Sequence, residues 1–368
     1  MRTTLREAAG SLLVVGLAGT ELSDLERAWL RVVRPGGVIL FRRNINDAAQ
    51  TRALLQEATG FCAANAFRCV DVEGGTVDRL RDALASMPSA QAVATAARRT
   101  GKVALAQEHG DLIGQAVKAF GFNTTLAPVL DLALPASAGV LGTRAAAATP
   151  AEVLEYAGRF LTGLKAAGVA GCGKHFPGLG SGTLDSHLDT PVILRGSREM
   201  WREDLLPYRE LCRELPMIMV NHAAYPETPG KEHPASVSAY WMETVLRERI
   251  GYRGITFSDD LEMGGILKFM PIEEAVIAAV RAGMDMVEIC HSPALILNAF
   301  EALIEESERS AAFEKLLLKR ATRMERARAE LFSSGTAQAL TSRQFELLRA
   351  RVLRFSETIT KAQENHRG

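Results

Sequence analysis

The sequence has no excess of charge of either sign: 43 basic and 43 acidic side chains balance over 368 residues. Without a net or clustered basic field, the usual attraction to nucleic acid or to an acidic membrane is missing. No charge block along the chain supplies one locally. Long apolar runs are missing too. The longest, such as residues 276–280, fall far short of the roughly 20 residues a spanning helix needs, so no membrane span is expected. Cysteines are few, odd in number and unpaired in pattern: Cys62, Cys69, Cys172, Cys212 and Cys290 include no Cys-x-x-Cys. That spacing excludes a disulfide framework and a zinc ribbon, and the usage fits a reducing, cytoplasmic location. Internal repeats beyond a strand–helix unit and low-complexity segments are also absent.

One N-terminal feature resembles an export signal. Arg2 and Arg6 precede an apolar run over residues 8–18 that ends in small residues. Glu7 and two glycines break the pattern. The run is therefore read as entry into a first core strand over residues 12–16.

The length suits one α/β domain of about 250 residues with an appendage, or two ordinary domains. Eight short apolar runs bounded by turn residues stand at 12–16, 38–41, 68–71, 124–127, 169–173, 217–220, 255–257 and 286–289. Longer segments of helical period separate them, the pattern of βα units and a parallel sheet. The helices carry their own punctuation. Thr149, Pro150 and Glu152 mark a helix start and Gly168 its end. Ser238 leads a helix over 240–249 stopped by Gly251, and Pro271 opens 272–281 before Gly283. The expected architecture is a (β/α)8 TIM-type barrel with a C-terminal helical extension, and a doubly wound sheet is the competing fold. The barrel is assigned to residues 1–307, ending with a helix over 294–306, and the extension to 308–368. The extension comprises helices over 309–331 and 342–364, joined by a loop at 333–336 and packed on the barrel or on a partner subunit. Oligomeric state has no signature in the sequence.

Barrel function gathers past the C-terminal ends of the strands. There the third run gives Asp71, Glu73, Gly74, Gly75 and Arg79. The fourth leads to Asp131 and on to Arg144, and the fifth to Lys174, His175 and then Asp185, His187 and Asp189. Asn221 and His222 follow the sixth run, and Asp259, Asp260 and Glu262 the seventh. Carboxylates, imidazoles and cations at one rim are what acid/base or nucleophilic catalysis requires. Each has a bland reading taken singly: a strand-end aspartate as a helix cap, a histidine as a satisfied core group, Gly74-Gly75 as a turn.

The motifs Lys174-His175-Phe176-Pro177-Gly178, Asp185-Ser186-His187 and Phe257-Ser258-Asp259-Asp260-Leu261 resemble the bacterial single-domain β-N-acetylglucosaminidases (β-hexosaminidases) of glycoside hydrolase family 3. The likeness covers most of residues 10–290. It implies a barrel enzyme, needing neither cofactor nor metal, that removes terminal N-acetylglucosamine from a small carbohydrate by a retaining double displacement. The expected source is peptidoglycan (muropeptide) fragments. By position, Asp259 is the nucleophile, His187 the acid/base and Asp185 its orienting partner. Asp71, Arg79, Arg144, Lys174 and His175 contact the sugar. An oxocarbenium-like transition state needs an anion at the anomeric carbon and a proton donor at the leaving oxygen. Histidine, with an ordinary pKa of about 6.5, can hold or release that proton near neutrality. In larger family members a second domain can donate the acid/base. The short extension here leaves that task to the barrel's own loop.

Three departures from the family pattern stand out: Leu179 in place of histidine, Thr76 in place of arginine, and Ala145-Ala146 in place of a Ser-Phe pair. They bear on aglycone preference and efficiency. Competing functions are an exo-β-glycosidase of other specificity, a glycoside phosphorylase, or a sugar-binding protein that has lost turnover. Another is a metal-dependent hydrolase using His175, His187, His222, Asp185 and Asp189.

Overall fold

The computed structural model describes residues 4–182, 190–333 and 338–364. Among them, eight parallel strands close into a barrel: β1 (Leu13–Gly16), β2 (Gly37–Leu40), β3 (Phe67–Val70), β6 (Thr124–Thr125), β7 (Ala170–Phe176), β8 (Met217–Val220), β9 (Ile255–Asp260) and β10 (Met286–Ile289). Neighbours around the barrel follow chain order, and β10 pairs back onto β1. The intervening β4 (Val72–Gly74) and β5 (Val77–Asp78) form a separate antiparallel hairpin above the end of β3. Every apolar run read from the sequence forms one barrel strand. β7 and β9 run three residues further than their apolar stretches, into Lys174-His175-Phe176 and Ser258-Asp259-Asp260. An apolar run marks only the apolar part of a strand, whereas hydrogen-bonded pairing continues into the polar residues of the rim, which on β7 are buried as well.

The period of two sorts the strand residues. Val14, Ile39, Phe67, Cys69, Ala170, Cys172, Met217, Met219, Ile255, Phe257 and Met286 fill the barrel interior as one cluster. Their neighbours Val15, Val38, Val70, Ile218 and Val287 face the surrounding helices. Continued upward, the inward row passes from Cys69 to Asp71, from Cys172 to Lys174, from Phe257 to Asp259 and from Met286 to Glu288. The change from apolar to charged in this row divides core from site.

Local signals act as read, with two differences. Thr149 accepts the Glu152 N–H ahead of Pro150–Ala167, and Gly168 takes a left-handed conformation after it. Glu7 joins Thr4 in a capping box that starts Leu5–Ser11, so the residue that interrupts the signal-like run has a structural task. The helix Tyr240–Arg249 is wound more loosely than an α-helix, with i→i+5 bonding. Its C-terminal bond from Ile250 N–H to Val245 C=O shows the same winding.

Of the C-terminal helices, Ala311–Phe332 lies across the bottom of the barrel. Its Met324 and Phe332 enter the interior cluster, Phe332 meeting Phe67 edge to face at 5.1 Å. Arg328 donates to the carbonyls of Ser11 and Ala64. Ser342–Glu364 packs outside, its Phe355 stacked on His109 and its Arg351 on Asp111 and Gln115. No helix among the described residues is long and apolar enough to cross a membrane.

Met324 is fully buried at the plugged end. Met324→Ala is expected to lower unfolding free energy by about 3 kcal/mol. Urea titration measures this, and a loss below about 1 kcal/mol would mean the helix merely rests on the barrel.

Candidate active site

Asp71, the first residue past β3, and Glu73 in the hairpin bring two carboxylates to the mouth. Lys174, on β7, lies between them, with Nζ 2.9 Å from Asp71 Oδ1 and 2.6 Å from Glu73 Oε1. Arg144 reaches in from the turn Gly142–Arg144. Its Nε and Nη2 donate to Glu73 Oε2 and Oε1 at 2.9 and 2.8 Å, a bidentate pair. Arg79 stands 3.6 Å from Asp71 and over the ring of Phe41. Burial opposes ionisation of both acids. The cations outweigh it, Lys174 and Arg79 at Asp71 and Arg144 and Lys174 at Glu73, and hold both carboxyls below their ordinary range. The glycine after Glu73 is required by space and backbone: Gly74 has φ +88°, and a Cβ there would lie 2.1 Å from the Pro88 carbonyl oxygen. The turn is therefore part of what aims Glu73.

His175 is turned to a second acid. Its Nδ1 lies 2.6 Å from Asp131 Oδ2, and Arg144 Nη2 lies 3.3 Å from its Nε2. A guanidinium can only donate, so Nε2 accepts and Nδ1 carries the proton given to Asp131. Asp131 also accepts the N–H groups of His175 and Leu179, tying down the start of the segment that leaves β7. Thr190, where the described chain resumes, donates its hydroxyl to the Gly265 carbonyl beyond β9. Asp185 and His187 lie outside the described residues, as does Asp189. Leu179 is buried, as are Ala145 and Ala146, while Thr76 is exposed at the hairpin tip.

On the opposite side stands β9. Asp259 is half-buried, and among the described residues its Oδ1 accepts only the N–H of Asp260. Asp260 is committed to local structure instead. Its Oδ1 accepts the Glu262 N–H, and His291 stands 3.4 Å from its Oδ2. His222 lies beneath this pair, buried, with Nδ1 2.7 Å from Ser236 Oγ and Nε2 3.0 Å from the Asp260 carbonyl. Since a carbonyl only accepts, Nε2 is the protonated nitrogen. Burial keeps the ring below its ordinary pKa, hence neutral, despite the neighbouring Asp259.

The structure thus gathers Asp71, Arg79, Arg144, Lys174 and His175 into one continuous network, with Asp259 on the same rim. Three acids take their roles only from the structure. Glu73 and Asp131 are rim residues in the sequence, but nothing local reveals that they hold Arg144, Lys174 and His175. Glu288 does leave a signal, as the one charge inside the apolar strand β10. His175 and His222 are spent on different partners. The trio Asp260, Glu262 and His291 is close enough to share a cation, yet its donors already satisfy one another and the N–H groups of Glu262 and Ser292.

A depressed carboxyl contributes stability that is complete above its unfolded pKa and is lost as pH falls through the lower folded value. Glu73→Gln is therefore expected to cost about 3–5 kcal/mol at pH 7, because it leaves buried cations short of a partner. The penalty should shrink steadily below the ordinary glutamate value of 4.5. Urea unfolding at several pH values tests this, and a penalty that does not change between neutral and acid conditions would contradict an ionised Glu73.

Comparison with known proteins bears on the barrel as a whole. The model of the glycosyl hydrolase family 3 N terminal domain matches residues 4–326. A beta-hexosaminidase of Thiobacillus denitrificans is 40% identical over 286 residues, 77% of this chain and 79% of that protein. Among solved structures, a glycoside hydrolase family 3 beta-N-acetylglucosaminidase from Paenibacillus sp. str. FPU-7 superposes with a TM-score of 0.86 at 31% identity. It covers 96% of this chain and 68% of its own. Native NagZ from Neisseria gonorrhoeae gives 0.77 at 28% identity, covering 94% of this chain and 97% of its own. With a family model spanning most of its length and a relative this similar, the chain belongs to glycosyl hydrolase family 3.

Proposed function

We propose that the protein is a retaining, exo-acting β-N-acetylglucosaminidase that releases terminal β-linked N-acetylglucosamine through a covalent glycosyl-enzyme intermediate, with peptidoglycan fragments as the source. Family membership and the names of the similar proteins support the reaction class. The family resemblance supports the peptidoglycan source. The observation that carries the reading is the contrast among the rim acids. Asp71, Glu73 and Asp131 are each matched to a cation or an imidazole, whereas no ion pair to Asp259 forms among the described residues. An anion left unpaired at a barrel mouth is what attack on an anomeric carbon needs.

In this reading Asp259 attacks the anomeric carbon while His187 protonates the leaving oxygen and Asp185 orients the imidazole. His187 then takes a proton from the water that releases the sugar. Asp71 accepts hydrogen bonds from sugar hydroxyls, and Arg79 and Arg144 donate to them. Lys174 and His175 hold these groups in place and contact the sugar from the same rim. Because Asp71 and Glu73 are already matched by Lys174 and Arg144, a neutral sugar binding on that side leaves neither acid as a bare, desolvated charge. We also assign residues 308–368 to the helical extension and residues 1–307 to the catalytic barrel.

A chromogenic N-acetylglucosaminide tests turnover and nucleophile together. Asp259→Asn is expected to lower kcat/KM on the order of 10³-fold or more, and a fluorinated sugar should label Asp259 covalently. Labelling of Asp260 would overturn the assignment. Sugar 1-phosphate as the main product in the presence of phosphate would replace hydrolysis with phosphorolysis.

A further inference from the structure

Glu288 is an acid that the proposed mechanism does not use. It occupies the inward row of β10 and is 3% exposed. Its Oε1 takes the Cys290 thiol at 3.1 Å, and its Oε2 is buried without a hydrogen-bond partner. Among the described residues it makes no ion pair. The cation of the same layer, Lys174, is turned on Asp71 and Glu73. Among the described residues, the titratable groups facing Glu288 are Asp259 and Asp260 from β9, Asp71 and Cys69 from the β3 side, Cys172 from β7, and Cys290 beside it. On the β1 side its register partner is Val14. Every charged group in that set is an acid.

Its backbone is fastened to the nucleophile's strand. The Glu288 N–H donates to Ser258 Oγ, and the Glu288 carbonyl accepts the Leu261 N–H, so Glu288 brackets Asp259-Asp260 from both sides. Between these points the register slips. Met286 pairs with Phe257 and Glu288 with Asp260, a step of three residues on β9 against two on β10. Such a bulge re-aims the side chains it carries, and bulges gather beside active sites for that reason.

We propose that Glu288 is a positioning residue for Asp259: an uncharged carboxylic acid, carried on the backbone that fastens the bulged end of β9, which keeps a further negative charge from beneath the nucleophile. A buried carboxylate with acids around it and no cation would be very costly, whereas the neutral acid avoids that cost. Burial raises its pKa well above the ordinary glutamate value, and Asp260, Asp71 and Asp259 raise it further. Ionising Glu288 would place a second negative charge below Asp259 and drive the two strand ends apart. Activity should therefore fall on the alkaline side as Glu288 loses its proton.

This inference rests on Asp259 being the nucleophile, so its test includes a readout that needs no turnover. Infrared difference spectra of wild type against Glu288→Gln at pH 7 should show the carbonyl stretch of a protonated carboxyl, lost as pH rises. The rate of covalent trapping by a fluorinated sugar should drop on the order of tenfold or more in Glu288→Leu. In Glu288→Gln, which keeps shape and neutrality, it should stay within about threefold of wild type. The wild-type trapping rate should fall over the pH range where the infrared band disappears, and Glu288→Gln should lack that fall. No protonated-carboxyl band, or superimposable pH profiles for wild type and Glu288→Gln, would overturn the proposal. Should Glu288→Leu fail to fold, the spectra and the Gln variant still decide it. If the wild type neither traps nor turns over the sugar while the band is present, the nucleophile assignment has failed and the neutral acid stands.

Discussion

Lys174 shares its ammonium between Asp71 and Glu73, and the mouth of the barrel is organised around that contact. With Arg144 clamped on the far side of Glu73, two acids and two cations settle into one buried, nearly neutral array. None of the four could sit there alone, since an isolated charge in such a place costs several kcal/mol. The array forces elements far apart in the chain to arrive together. The end of β3, its hairpin, the turn at Gly142–Arg144 and the end of β7 must each be in position before any of these charges is satisfied. His175, adjacent to Lys174, is thereby brought between Arg144 and Asp131, and Asp131 fastens the start of the segment beyond β7.

The opposite side of the mouth follows another logic. There, among the described residues, neither lysine nor arginine meets an acid of β9 or β10, and backbone bonds do much of the holding: Glu288 to Ser258 and Leu261, His222 to the Asp260 carbonyl, Asp260 to Glu262. In the proposed reaction a substrate between the two sides would meet a neutralised, hydrogen-bonding wall on one flank and the Asp259 carboxylate on the other. That asymmetry suits a reaction in which one flank recognises hydroxyl groups and the other stabilises developing positive charge.

The fold was legible in the sequence because a barrel repeats a single local pattern, a short apolar run followed by a helical segment punctuated by caps and glycines. Thr149, Gly168, Pro271 and Gly283 each stand where the helices begin or end. The polar ends of β7 and β9 could not be read that way, since pairing rather than hydrophobicity continues them. The rim was legible as a set, because strand ends point to one face. Its internal pairing was not, since Glu73 and Arg144 lie 71 positions apart and no periodicity relates them. Glu288 shows the remaining gap: it is visible as a charge in an apolar strand, but its meaning comes from neighbours on β3, β7 and β9.

The seam between β1 and β10 joins residues near the two ends of the barrel sequence, Leu13 with Val287 and Val15 with Ile289, and Arg328 crosses beneath it to the Ser11 carbonyl. Contacts of such long sequence separation are slow to form, because loop closure precedes any gain from pairing. During synthesis, then, the first strand must wait with an unpaired edge until almost the whole barrel has emerged. Its exposed apolar surface in that interval is an aggregation hazard, which ends when β10 pairs with it and the helix Ala311–Phe332 covers the bottom of the barrel.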